Sequence, residues 1–455
     1  MVGNRLEICD KNDKQIVSRK KKEKSDMGKD DFAPTPPMGW NSYDYYDTTV
    51  TEEEIKKNAD YMAAYLKPYG YEYIVVDIQW YAYGTGTKRE EYQYLPFSKV
   101  EVDGHSRLLP CVEKFPSSMN GQGFRPLADY IHEKGLKFGI HIMRGIPRIS
   151  AHTHSKILGS TKTADQIADP YSICPWNPDM YGVKEGVEGG QEYYDSLMEL
   201  YASWGVDFIK CDDIAHTKLY EDAYAGKNEI EMIHKAIMKT GRPMVLSLSP
   251  GPAIIEKAWH YETYANMWRI TDDFWDQWEL LKVMFERCEI WQMHKRKGCY
   301  PDCDMLPVGK VGKGFLQERN TNFTKEEQKT MMTLWCIFGS PIMLGAELTK
   351  LDDWTKSLLT NKEVLSLLSN DFERKQWKRE EGEAIWITHH KKTGKRYVAI
   401  FNLSDNETIY DWQKIEEEFG TFVREVWTNQ NVNIEQKEEG MKISPHDVKL
   451  YELLG

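Results

Sequence analysis

Between residues 38 and 345 short apolar runs alternate with longer amphipathic ones, and this alternation restricts the fold more than any other property of the chain. The runs at 38–42, 72–77, 137–143, 207–212, 243–249, 266–270 and 341–345 have the length of buried strands, and 301–308 contains a further strand tip. Between them, 124–133, 190–204, 229–240, 274–288 and 325–338 read as helices. The first helix carries its own start signal. Thr51 and Glu54 form a capping box, after which Ile55, Ala59, Met62 and Tyr65 fall on one face. Strand, helix, strand is the unit of a parallel sheet. About eight such units in roughly 320 residues predict an α/β fold, a (β/α)8 TIM barrel closed in chain order.

Two long insertions, at 79–123 and 145–189, both follow strands. They therefore belong to the C-terminal rim of such a barrel, where long ordered loops build pockets. Beyond 361–364 the texture changes. Segments 384–390 and 396–402 read as strands around the hairpin signal Lys391-Lys392-Thr393-Gly394, and 421–427 and 447–453 add more. The predicted organisation is a polar arm at 1–33, a catalytic barrel at 34–371 and a C-terminal antiparallel β domain at 372–455.

Charge and cysteine usage exclude several classes. The net charge is −12, and the one basic run, at 19–22, lies among acidic and polar neighbours. A solvated arm is expected there, and neither a nucleic-acid nor a membrane partner. No apolar stretch reads as a signal peptide or a bilayer span, so the cytoplasm is the expected location. The eight cysteines are scattered without paired spacing. Cys299 and Cys303 lack the partner pair that a zinc site needs, and no metal or other cofactor is expected. A homo-oligomer is left open.

One apolar run ends in charge: Gly205-Val206-Asp207-Phe208-Ile209-Lys210-Cys211-Asp212-Asp213. A buried strand does not tolerate Lys210, Asp212 and Asp213 in its middle, so they belong at its C-terminal tip, the rim where barrels do chemistry. A second cluster, Trp268-Arg269-Ile270-Thr271-Asp272-Asp273, ends another strand. Two carboxylates on two strand tips are what a retaining glycosidase uses, one as nucleophile and one as acid and base. Lys210, two residues before Asp212, shares its face of the strand and would hold it ionised. Arg269 could do the same for Asp273. The competing readings are a structural Lys210–Asp212 ion pair and Asp272 or Asp276 as the acid. His141, at another strand tip, reads as a hydrogen-bonding pocket residue. No Gly-x-Ser-x-Gly elbow is present, and Gly84-Thr85-Gly86-Thr87-Lys88 has the wrong spacing for a phosphate loop.

Six segments, in order, resemble glycoside hydrolase family 27, the α-galactosidase family. They are Pro37-Met38-Gly39-Trp40-Asn41-Ser42, the strand from Trp204 to Asp212, the stretch from Trp268 to Asp273, Pro301-Asp302-Cys303-Asp304-Met305-Leu306, Ser340-Pro341-Ile342-Met343-Leu344-Gly345 and Asn361-Lys362-Glu363-Val364. The resemblance implies a barrel followed by a β-sandwich. It makes Asp212 the nucleophile and Asp273 the acid/base, with Lys210, Arg269 and Asp304 binding sugar. Tyr43 falls where the family often has a stacking tryptophan, and His141 where it has a tyrosine.

The departures from the family pattern bear on substrate. Galactosidases carry two successive aspartates after the second strand; this chain has Asp77 and then Ile78. The resemblance makes that pair the holder of the C4–C6 end of galactose. Isoleucine cannot accept a bond from the C6 hydroxyl, and burying that hydroxyl unpaired costs about 1–3 kcal/mol. β-L-Arabinopyranose is galactose without its CH₂OH, and an aliphatic residue here resembles the family's β-L-arabinopyranosidase branch. Ser249 stands where galactosidases have a glutamate near C2, as in N-acetylgalactosaminidases. Gln79 and Ile214 stand where secreted members have disulfide cysteines, in agreement with a reducing compartment. The expectation is a retaining exo-glycosidase for terminal β-L-arabinopyranosides, cleaving α-galactosides weakly. The alternatives are an α-galactosidase or α-N-acetylgalactosaminidase and, from another class, a non-catalytic sugar-binding protein.

Overall fold

The structure, a computed structural model, describes residues 27–86, 99–217 and 222–454. The basic run of the arm, together with Thr87 and Lys88, lies outside the described residues. Eight parallel strands form one sheet: β1 (Met38–Asn41), β2 (Tyr73–Val76), β3 (Lys137–Met143), β4 (Phe208–Asp212), β5 (Val245–Ser249), β6 (Met267–Arg269), β7 (Tyr300–Asp302) and β8 (Ile342–Leu344). They pair in chain order from β1 to β7, and β8 pairs back onto β1. Leu306, just past β7, bridges Leu344 in parallel and closes the ring. Gly39 has a steric reason to be glycine, because a Cβ there would stand 2.4 Å from the Tyr73 carbonyl oxygen on β2.

The helices alternate with these strands: α1 (Glu52–Tyr61), α2 (Arg125–Glu133), α3 (Gly190–Trp204), α4 (Lys227–Thr240), α5 (Ala258–Tyr264), α6 (Trp278–Trp291), α7 (Lys325–Phe338) and α8 (Asp353–Leu359). The Thr51–Glu54 capping box opens α1 as expected. The sequence reading starts α6 too early. Residues 274–277 are held instead by tertiary contacts: the Phe274 amide donates to Asp304, and Asp276 binds Arg319. In α7 every residue from Thr330 to Phe338 is buried. A helix buried all round is covered on both sides, and α7 lies between the barrel and the C-terminal sheet. Trp427 donates to the Thr333 hydroxyl at 2.9 Å across that junction.

The C-terminal sheet has six antiparallel strands: β9 (Phe372–Glu380), β10 (Glu383–His390), β11 (Arg396–Asn402), β12 (Phe422–Glu425), β13 (Gln430–Asn431) and β14 (Val448–Leu453). One face meets the barrel helices through pairs such as Phe285–Phe401 and Phe338–Trp386. The other is covered by α9 (Trp412–Phe419) and a ribbon pairing Thr408–Tyr410 with Met441–Ile443. Trp412, Ile415 and Phe419 pack there with Val398, Ile400 and Leu453. Of the elements in this domain that the sequence reading does not include, two are instructive. β9 is a charged edge strand, a composition that protects an open sheet edge but hides the strand. α9 is short and lies in a segment read as β.

Of the two insertions, 145–189 carries a three-stranded sheet, Ile146–Pro147, Met180–Val183 and Ala168–Ile173. No helix among the described residues is long and apolar enough to cross a membrane.

One buried amine sets a stability test. Lys295 Nζ, which packs against Gly339 as the Arg374 guanidinium also does, is buried with no hydrogen-bond partner among the described residues. Burial, helped by the Arg374 charge, pushes its pKa down to about 6. The unfolded chain therefore holds a proton that the folded chain lacks between that value and the ordinary lysine range. Stability falls as pH drops across this window and levels off below it. Lys295→Met is expected to raise Tm by several degrees, with a larger gain at pH 6.5 than at pH 9.5. Thermal melts at the two pH values check this; an equal gain at both would contradict it.

Candidate active site

The C-terminal ends of the barrel strands open into a cavity of about 470 Å³, large enough for a monosaccharide. Tyr43, Asp77, Ile78, Lys210, Asp212, Ser249, Arg269, Asp273 and Asp304 all line it. They arrive from six different strand ends, and strand register explains their grouping. β3 and β4 pair His141 with Lys210 and Met143 with Asp212, and β4 and β5 pair Asp212 with Ser249. Alternate residues of a strand share a face, so Lys210 and Asp212 reach the cavity together.

Asp212 is held from two sides. Its Oδ1 accepts from the Asp213 amide at 2.8 Å, and its Oδ2 lies 3.2 Å from His141 Nε2. Burial pushes its pKa up, but the His141 hydrogen bond and the charges of His141, Lys210 and Arg269 outweigh that and hold it below the ordinary value. The carboxylate is ionised at neutral pH and its side chain stays 15% exposed, so a ligand can reach it. His141, expected as a pocket residue, is fully buried and does not line the cavity; it stands behind Asp212.

The direct partner of Lys210 differs from the one expected. Its Nζ donates to Asp77 Oδ2 at 2.9 Å and acts on Asp212 only through space. Spacing along β4 reveals which face Lys210 occupies, but not that β2 brings Asp77 closer. Asp77 Oδ2 also accepts from Asn41 Nδ2 at 2.7 Å, and its Oδ1 accepts from the Ile78 amide at 2.7 Å. Burial opposes ionisation of Asp77; the Lys210 charge, then His141 and these hydrogen bonds, overcome it and drive its pKa far down. Ile78, next in sequence, is 2% exposed and puts an aliphatic wall beside that carboxylate.

On the far side Arg269 organises the second cluster. Nη1 donates to Asp273 Oδ1 at 2.6 Å and lies 3.6 Å from Asp304 Oδ2, while Nε donates to the Pro250 carbonyl. Asp273 is 57% exposed at the mouth. Asp276, a rival for the acid role, is 3% exposed, forks onto Arg319, and does not line the cavity. Asp272 does line it. Beneath the floor, Asp302 is raised to about 7 by burial and by the neighbouring Asp304 charge.

Several lining residues were not singled out from sequence. Pro175 and Trp176 come from the 145–189 insertion, and His216, Thr217, Trp275 and Met305 from rim loops. The described part of the 79–123 insertion does not reach the cavity. Asp44 also lines it, from the short helix Tyr43–Tyr46. Seven aspartates and only two permanent cations, Lys210 and Arg269, face this space. That balance suits a neutral polyhydroxylated ligand and repels an anionic one. Among the described residues no group of three or more His, Cys, Asp or Glu side chains is placed to hold a metal ion.

Comparison with known proteins finds relatives along most of the chain. The family model described as alpha galactosidase A matches residues 179–370, and that of the alpha galactosidase C-terminal beta sandwich domain matches 381–453. Alpha-galactosidase 2 of Arabidopsis thaliana is 27% identical over 93% of this chain and 90% of its own length. A family 27 β-L-arabinopyranosidase from Geobacillus stearothermophilus has a crystal structure that superposes with a TM-score of 0.87 at 48% identity, covering 94% of this chain and 98% of that one. A putative α-N-acetylgalactosaminidase from Bacillus halodurans is also 48% identical, with a TM-score of 0.79 over 92% of this chain and 97% of its own.

Proposed function

Since the chain belongs to glycoside hydrolase family 27, we propose that it is a retaining exo-glycosidase whose preferred substrate is a terminal β-L-arabinopyranoside, with α-D-galactosides cleaved weakly. The observation that carries the substrate choice is Ile78, buried against Asp77 on the cavity wall. A pyranose without a C6 arm leaves no hydroxyl stranded there, whereas galactose does. The α and β labels of the two sugars differ by naming convention, and the anomeric geometry is the same. The arabinopyranosidase of G. stearothermophilus, at 48% identity, supports the same reading.

In the proposed reaction Asp212 attacks the anomeric carbon from within the cavity while Asp273, at the mouth, protonates the leaving oxygen. The bond to the aglycone breaks, and a glycosyl ester forms on Asp212. The aglycone departs through the open side. Asp273 then removes a proton from water, whose oxygen attacks the anomeric carbon and frees Asp212. Lys210 and the paired Asp77 are assigned to sugar hydroxyls, and Arg269 with Asp304 to holding Asp273 and the glycone. Tyr43 offers an aromatic wall at the mouth; its ring stands 5.5 Å from that of Phe315.

The acid/base role of Asp273 has a kinetic signature. Asp273→Ala is expected to lose activity by orders of magnitude on substrates with poor leaving groups, and far less on a p-nitrophenyl glycoside, whose departure needs no proton. Azide should raise its turnover and give a glycosyl azide of retained configuration. Equal losses on both leaving groups, with no azide effect, would remove Asp273 from the role.

A second reading has its own observation. Ser249 Oγ is buried with no hydrogen-bond partner among the described residues, and it borders both the main cavity and a void of about 20 Å³ beneath it. Space and an unused hydroxyl at this wall would suit a 2-acetamido group. Hydrolysis of p-nitrophenyl α-N-acetylgalactosaminide above that of the arabinopyranoside would favour this reading.

A further inference from the structure

Asp44, like Asp213 and Asp272, is a lining carboxylate for which the reaction just described has no use. It belongs to the short helix Tyr43–Tyr46, and it is 2% exposed. The backbone at Gly345 presses on it so closely that a Cβ there would stand 1.9 Å from Asp44 Oδ2. That oxygen is sealed from solvent and has no hydrogen-bond partner among the described residues. Since the residue nonetheless lines the cavity, Oδ1 is the oxygen left to meet a ligand.

We propose that Asp44 is a specificity-determining residue that hydrogen-bonds a ring hydroxyl of the glycone through Oδ1 while Oδ2 stays sealed against Gly345. The proposal rests on the reading that this cavity binds the glycone. An ionised carboxylate whose one oxygen has neither water nor donor is strongly disfavoured, so the group is present as a carboxylic acid. The charged groups around it agree. Burial raises its pKa well above the ordinary value, the charges of Asp304, Asp273 and Asp77 raise it further, and Lys210 opposes them. Arg319, on the neighbouring hairpin, is a second opposing cation. As an acid, Asp44 offers one donor and one acceptor and can serve a hydroxyl in either sense. Glycone binding should then weaken on the alkaline side, as rising pH ionises Asp44.

The test compares Asp44→Ala and Asp44→Asn with the wild type. Binding of L-arabinose and D-galactose is measured by calorimetry, and kcat and KM on p-nitrophenyl β-L-arabinopyranoside and α-D-galactopyranoside across pH. Asp44→Ala is expected to weaken monosaccharide binding and raise KM by about 10- to 100-fold, with kcat within a few-fold of wild type. Asp44→Asn, a neutral group of the same shape, is expected to keep most of the affinity and to lose the alkaline rise in KM. A folded Asp44→Ala that binds both sugars as the wild type does would overturn the proposal. So would an Asp44→Asn variant with an unchanged alkaline limb, and this second arm decides if the alanine variant does not fold. A wild-type protein that binds neither sugar would overturn the substrate reading. One that binds a sugar but shows no Asp44 effect would overturn only the role of Asp44.

Discussion

Asp212→Ala is expected to fold, to bind L-arabinose, and to turn over p-nitrophenyl β-L-arabinopyranoside about 10⁴-fold more slowly than the wild type, or worse. The size of the effect follows from the surroundings of this carboxylate. Its ionised form is built into the barrel: the Asp213 amide and His141 hold one oxygen each, and Lys210 and Arg269 supply positive potential. Asp213, next in sequence, cannot take its place. Its side chain is turned onto Arg144, and burial raises it to about 6. Nor can Asp77, which is locked onto Lys210 and Asn41. Steady-state kinetics and calorimetry on the purified variant check the result. Turnover within tenfold of wild type would remove Asp212 from the chemistry. Loss of turnover together with loss of sugar binding and a collapsed Tm would point to structural damage instead.

The second large effect is expected at the aliphatic wall beside Asp77. Ile78→Asp should shift the ratio of kcat/KM for p-nitrophenyl α-D-galactopyranoside over the β-L-arabinopyranoside upward by about 5- to 150-fold, the equivalent of one buried hydrogen bond of about 1–3 kcal/mol. Two contributions act in the same direction. Galactose gains an acceptor for its C6 hydroxyl. Arabinopyranose gains nothing and now faces a second buried carboxylate placed beside the ionised Asp77, whose cation Lys210 is already engaged. Total activity should drop, because the new group sits in a position that is 2% exposed and packed for an aliphatic side chain. The ratio is therefore the quantity to read. A ratio unchanged in a folded variant would mean that Ile78 does not select the sugar.

The parts of this molecule that could be read from the chain are those where one physical demand dominates. Buried parallel strands must be apolar, so β3 appears in the sequence with its observed ends, and α7 likewise at 325–338. Charge at the end of an apolar strand points to the rim, and that marks Lys210, Asp212 and Arg269 as rim residues from the sequence alone. What stayed hidden depends on neighbours distant in sequence. The pairing of Lys210 with Asp77 needs the β2–β3–β4 order and its register. The placement of His141 behind Asp212 needs the β3–β4 register as well. Asp44 looks like any polar residue in a tyrosine-rich stretch until Gly345 is seen against it. β9 was missed because an edge strand with Arg374, Lys375, Lys378 and Arg379 shows the alternation of neither a core strand nor a helix.

The claim on which the mechanism stands is that Asp212 carries the sugar covalently. Incubation with a fluorinated arabinopyranosyl fluoride that slows release of the intermediate, followed by proteolysis and mass spectrometry, reads this directly. The account predicts one added fluoro-pentosyl unit per chain, located on Asp212 within the peptide spanning β4. A label on a different carboxylate, or rapid hydrolysis to the inverted sugar with no adduct at any time, would contradict it.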